Sequence, residues 1–187
     1  WKIYFAKPSI SGTLGYSRTG YPKAMISSFK LGTPAIKIIL NETVIKIVEK
    51  YLCSECILAE TIARIDKGVN YKYFPIHSDF TEGWKKSKSL KSSLSRDDLK
   101  KPIGVGGVIY LHDTVEGAFS YSLGSHKLGS PYGQSLTNYP KKMRDKIEKE
   151  IKVFSGKAGD IILFDDRGFH GPDQPSSKDR SVILVDY

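Results

Sequence analysis

Apolar positions recur along this chain at two spacings. Val44, Ile45, Val48 and Leu52 follow the spacing of one helix face. They come directly after Asn41, whose side chain can accept from the free amides of a first helical turn. That pattern predicts a helix over about Glu42–Leu52, packed on the body of the domain. Tyr139–Glu150 is charged, with Met143 and Ile147 at i and i+4, and predicts a surface helix. Elsewhere the apolar residues gather into short runs. Ile57–Ile65 is rich in β-formers and stops at the turn signal Lys67-Gly68. Tyr71–Phe80 alternates aromatic and apolar residues and reads as another strand. Val105–Leu111 and Glu116–Leu123 form two more, joined by a short polar turn. Ile151–Phe154, Asp160–Phe164 and Ser181–Tyr187 complete the set. The state of Ala35–Leu40 is left open by its pattern. Residues 1–33 carry Pro8, Pro22 and several glycines among aromatics, and predict irregular structure with one short strand at most.

Many short strands, Gly-rich turns and little helix predict a mainly β fold, a sandwich or barrel such as a jelly roll, with a few peripheral helices. A length of 187 residues suits one domain over residues 1–187, and no internal repeat or linker divides it. The chain opens on Trp1 rather than Met, so the true N-terminus, with any targeting signal, is expected upstream.

Composition narrows the function classes. Eleven tyrosines and eight phenylalanines argue against disorder. The longest apolar runs, such as Ile161–Phe164, fall far short of the roughly 20 residues that span a membrane, so no membrane partner is expected. A net charge of +9 permits an anionic partner without naming one. Much of that excess lies in Trp84–Lys101, a Lys/Ser-rich stretch that reads as a solvated loop and as a lid over a pocket mouth. Nucleic-acid surfaces interleave cations with aromatics, and here only Trp84 serves, so nucleic acid is disfavoured. Cys53 and Cys56 form a lone C-x-x-C with no second pair and no histidine close in sequence. They read as two reduced thiols near a helix end and point to the cytoplasm.

The chemistry gathers around His77-Ser78-Asp79. Residues i and i+2 of a strand share a face, so an imidazole and a carboxylate can reach one point. Two ligands hold a metal poorly, and His170, beyond the Asp160–Phe164 strand, is the best third. Two histidines and one carboxylate on one face of iron(II) leave three positions open, enough for a bidentate 2-oxo acid and dioxygen. Arg180 lies ten residues after His170 and opens the apolar run Val182–Val185. An arginine entering a buried strand needs an anionic partner. A carboxylate of 2-oxoglutarate would fit its fork; so would Asp166, Asp173 or Asp179 in a salt bridge.

In order, the chain carries His77-Ser78-Asp79, Glu116-Gly117-Ala118-Phe119, Leu123-Gly124-Ser125-His126, Gly159-Asp160, His170 and Arg180. This series resembles the phytanoyl-CoA dioxygenase family from about Leu52 to the C-terminus. Single motifs are weak, but the ordered set is specific. Leu123 stands where the family usually has Pro, Pro172 where it often has a hydroxyl, and Val108 where it often has Trp. The resemblance implies a double-stranded β-helix with Fe(II), 2-oxoglutarate and O2 as cofactors. It also implies that His77, Asp79 and His170 are the catalytic metal ligands and that Arg180 binds the C5 carboxylate of 2-oxoglutarate. The activity it implies is hydroxylation of a small organic substrate, with release of succinate and CO2.

The basic charge tilts the expected substrate towards an acidic or carrier-bound molecule, with the protein a monomer or homodimer. His126 is expected to order a turn beside the site, and His112 to lie in a loop. Tyr71, Tyr73 and Trp84 are candidates for either pocket lining or core. Two other readings remain. One is a non-enzymatic jelly-roll protein that binds a small ligand; the other is a cupin-like metalloenzyme that uses no oxo-acid.

Overall fold

The computed structural model describes residues 24–70, 72, 75–83 and 94–187. Two antiparallel sheets face one another. The larger contains β1 (Ala24–Ser27), β2 (Glu60–Asp66), β3 (Val105–Tyr110), β6 (Ile161–Asp165) and β8 (Arg180–Asp186), in the order β1-β2-β8-β3-β6. The smaller contains β4 (Thr114–Ser122), β5 (Ile151–Gly156) and β7 (His170–Pro172), in the order β5-β4-β7. This is the jelly roll expected from the strand pattern. Helices α1 (Thr33–Ile39) and α2 (Glu42–Leu52) cover the outer face of the larger sheet, and α3 (Lys141–Lys149) lies against the smaller.

Strand β8 shows how the sequence builds both layers. Alternate residues point to opposite faces. Val182 and Leu184 face the second sheet, among Val108, Tyr110, Phe119 and Phe164. Ile183 and Val185 face the helices, among Ile39, Val48 and Ile109. Burial on both faces explains why this strand reads as an unbroken apolar run. Each such side chain contributes on the order of 1.5–3 kcal/mol by leaving water.

Helix α2 has the bounds its periodicity predicts. Asn41 Oδ1 accepts from the amides of Thr43 and Val44 at 3.0 and 3.3 Å. The undecided Ala35–Leu40 run falls mostly in α1, where Pro34 suits the first turn, its missing amide being one no helix could pair. Tyr71–Phe80 is a correction. Its described residues form no strand, only isolated bridges from His77 to Ser135 and to His170. Pro75 cannot donate to a ladder, which limits pairing there. The three-residue β7 was not foreseen, being too short to leave a pattern.

The readings of Tyr71, Tyr73 and Trp84 lie outside the described residues, as does the lid expectation for 84–93. Residues 94–101 are packed rather than free: Leu94 and Leu99 are buried, with a 3-10 turn at Asp98–Lys100. Both cysteines are free thiols. No described helix is long and apolar enough to cross a membrane.

Candidate metal centre

The geometry begins with a backbone contact. The His77 amide donates to the His170 carbonyl at 3.0 Å, and the His170 amide returns the bond at 2.8 Å. That reciprocal pair sets two imidazoles side by side, ring centroids 4.6 Å apart. Asp79, two residues beyond His77, has its own amide on the Asp166 carbonyl at 3.0 Å. Its carboxylate therefore turns back between the rings. Oδ1 stands 3.5 Å from His77 Nε2, and Oδ2 stands 3.3 Å from His170 Nε2. The three candidate ligands thus meet, and they are the one such cluster among the described residues.

Whether a metal fits can be judged from the donor set. Each imidazole has Nδ1 against a backbone carbonyl: His77 against Pro75 at 3.1 Å and His170 against Gly168 at 2.9 Å. Such bonds fix the tautomer that leaves Nε2 a free lone pair, the usual outer support of a metal-bound histidine. Three ligands about 2.1 Å from one ion and at right angles stand about 3 Å apart. The two N–O separations are close to that value, so the residues fit a two-His, one-carboxylate ion.

Electrostatics agree. Burial lowers the His77 pKa to about 4, assisted by the charge of His170. Burial also works against charge on His170, but the Asp79 carboxylate outweighs it and the net shift is upward. Asp79 is held low in spite of burial, chiefly by His170. Protein surrounds it, yet 43% of its side-chain surface is open to solvent, which gives the centre a way in. Phe164 and Phe119 pack against the His170 ring, with centroids 4.6 and 5.8 Å away.

Arg180 is buried as expected, on the inner face of β8, but its partner is a different one. It sits directly across from Asp66 of β2. Nε donates to Asp66 Oδ2 at 3.1 Å, Nη2 donates to the same oxygen, and Nη1 donates to Gly117 O at 2.9 Å. Gly117 has φ +67, a conformation glycine adopts without strain, at a register shift in β4. Asp166, Asp173 and Asp179 are not the salt-bridge partners. Asp66 also takes Arg64, whose Nε stands 2.8 Å from Oδ1, a charge contact off the hydrogen-bond axis. Two guanidinium groups thus meet the Asp66 carboxylate.

Arg64 was not singled out from the sequence, although its position on one face with Ile62 and Asp66 was a usable signal. It acts electrostatically on His77, Asp79 and Asp186. Asp186 and Asp166 were missed as parts of the site too. Burial, with Asp79 and Glu60 nearby, raises Asp186 to about 7. Burial also raises Asp166, whose Oδ1 has no hydrogen-bond partner. His126 does not order its turn. Ser125 does so, donating to Ser122 O at 2.7 Å and accepting from the Phe169 amide at 2.8 Å. His112 lies between β3 and β4, as expected, and accepts the Ser181 amide on Nε2 at 2.9 Å. A cavity of about 710 Å3 is lined by Phe80, next in the chain to Asp79, with Leu94, Pro102 and Ile103.

No family model matches the chain, and no curated protein does. Solved structures do match. EctD from S. alaskensis with bound Fe superposes with a TM-score of 0.61 at 17% identity, over 87% of this chain and 55% of EctD. The same protein with 2-oxoglutarate and 5-hydroxyectoine gives 0.60 at 18%, over the same shares. HygX from Streptomyces hygroscopicus with nickel and 2-oxoglutarate gives 0.56 at 15%, over 87% of this chain and 68% of HygX. The chain therefore spans little more than half the length of EctD. At these identities the likeness establishes a shared fold, a jelly roll with a few peripheral helices.

Proposed function

We propose that this chain is an Fe(II)- and 2-oxoglutarate-dependent dioxygenase of the phytanoyl-CoA dioxygenase-like kind, hydroxylating a small organic substrate. The observation that carries this reading is the convergence of His77, Asp79 and His170, with both Nδ1 atoms tied to backbone carbonyls. Structural relatives crystallised with Fe, nickel and 2-oxoglutarate support it. Iron(II) with 2-oxoglutarate and O2 supplies the oxidising power to hydroxylate an unactivated C–H bond, releasing succinate and CO2.

The chain's own residues supply the rest. His77 and His170 present neutral Nε2 donors, and Asp79 supplies the charge that offsets the ion. Phe119 and Phe164 keep water from the rear of His170. Arg180, buried beside Asp66 on the inner face of β8, is the cation that a distal carboxylate would meet. The presence of Asp79 speaks against halogenation, which requires that ligand position for a halide.

Anaerobic addition of Fe(II) and 2-oxoglutarate tests this reading. A weak visible charge-transfer band should develop in the wild type and be missing in His170→Ala. No band and no metal binding in the wild type would leave a jelly-roll binding protein as the better account. Tight Fe(II) binding without a band would favour a metalloenzyme that uses no oxo-acid.

A further inference from the structure

We infer that the loop carrying the metal centre has, on its other side, a binding site for the phosphate monoester group of an organic molecule. A cavity of about 630 Å3 is lined by Arg96, Lys100, His126, Lys127 and Arg167, together with Tyr51. Among the described residues no acidic side chain lines it. The volume falls within the range of small-molecule sites and exceeds what a phosphate alone fills.

The charges in this cavity are unequally neutralised. Lys100 pairs with Asp97 at 2.7 Å. Arg167 is buried and clasps Asp165, with Nε to Oδ1 at 2.8 Å and Nη2 to Oδ2 at 2.5 Å. Arg96 and Lys127 have no acidic partner among the described residues. Two positive charges therefore stand uncompensated at the rim, which suits a group of about −1.5 to −2 charge.

The floor supplies directed donors. Arg167 spends its third bond on Leu99 O at 2.7 Å and also meets the Tyr51 hydroxyl, which leaves one of its five N–H groups unspent. Its plane is fixed by Asp165, so that donor and its charge are held in place for a phosphate oxygen. His126 lines the same cavity and its buried Nδ1 has no hydrogen-bond partner, so no bond holds the ring from turning a nitrogen towards an anion. Tyr51, held by its hydroxyl on Asp165 at 2.5 Å, gives a fixed aromatic surface for the organic part of the ligand.

The cavity and the metal centre are two sides of one loop. Ser78, between His77 and Asp79, donates to the Arg167 carbonyl at 2.9 Å, and Gly168 O holds His170. The phosphate site does not depend on the oxygenase reading, since none of its lining residues is a candidate metal ligand.

Inorganic phosphate titrated into the full chain at constant ionic strength, followed by NMR, tests the proposal. Saturable shifts should centre on His126 and Arg167. Affinity should fall at least tenfold in Arg96→Ala/Lys127→Ala and hold in Lys141→Ala/Lys142→Ala, a control on exposed α3. Shifts that do not saturate, or equal affinity in the two double variants, would overturn it. So would an oligonucleotide that binds through Arg96 and Lys127 when phosphate does not.

Discussion

His77 and His170 are bound to each other through their backbones, with reciprocal N–H to O contacts of 3.0 and 2.8 Å. The polypeptide by itself brings the two candidate ligands together. His77→Ala and His170→Ala should each keep that backbone pair, and with it the fold. Each removes one donor, so metal affinity should fall at least a hundredfold, beyond the 10–100-fold typical of losing an outer support. Calorimetric metal titration and circular dichroism of the same samples check this. A variant that unfolds instead would show that the rings, not the backbones, hold the loop.

Metal binding should depend on pH through His170. Its pKa is raised, burial being outweighed by Asp79, so below that raised value the metal-free site carries an Asp79–His170 ion pair. A raised histidine stabilises the metal-free fold below the unfolded-state pKa and loses that contribution as pH rises through the folded value. The ion needs His170 neutral and must displace its proton. Affinity should therefore drop about tenfold per pH unit below the His170 pKa, with about one proton released. His77, lowered to about 4, stays neutral and adds nothing to that slope until pH nears 4. Titrations in buffers of different ionisation enthalpy measure the proton. A flat profile from neutral pH to 5 would exclude the ion pair.

Much of this arrangement was legible from the sequence, and the exceptions have physical causes. Asn41 and its apolar stripe fix α2 locally, so the pattern suffices. The jelly roll follows from many short apolar runs, and the clustering of His77, Asp79 and His170 from strand spacing taken with the family resemblance. What sequence could not supply was pairing across strands. The contact between Asp66 and Arg180 joins residues 114 apart and exists only through the β2–β8 register. Arg64 gains its importance from the same register, and Asp186 from facing inward at the far end of β8. The strand expected at Tyr71–Phe80 was misleading for a related reason. His77 and Asp79 do converge, but through bridges and the Asp166 carbonyl rather than a ladder.

The shared Asp66 makes a graded prediction for the oxo-acid. Arg180→Lys keeps the charge but loses the fork, so it should weaken 2-oxoglutarate binding about tenfold or more while metal affinity stays nearly level. Arg64→Lys should act in the same direction but less, because Arg64 makes fewer aligned contacts with Asp66. Titrating metal and 2-oxoglutarate separately against the three proteins tests the order. Equal oxo-acid affinity in wild type and Arg180→Lys would remove Arg180 from the site.

Gly168 is the most sensitive point in the support of the centre. Its carbonyl orients His170 Nδ1 at 2.9 Å, and its Cα faces Tyr121. A Cβ there would lie 1.9 Å from the Tyr121 hydroxyl oxygen and 2.2 Å from the ring carbon bearing it. Tyr121 cannot simply withdraw, since it is buried in the inter-sheet core and its hydroxyl donates to Asp165 O at 3.1 Å. Gly168→Ala must therefore move the loop, and overpacking of this kind costs about 1–3 kcal/mol. Because the Gly168 carbonyl moves with it, His170 should lose its fixed tautomer, and metal affinity should fall about 10–100-fold. Adding Tyr121→Ala opens the space and should restore much of the metal affinity without restoring stability, because it leaves a cavity of its own. Metal titration and thermal melting of the single and double variants separate the two effects. Unchanged metal affinity in Gly168→Ala would show that the carbonyl is not what holds His170 in place.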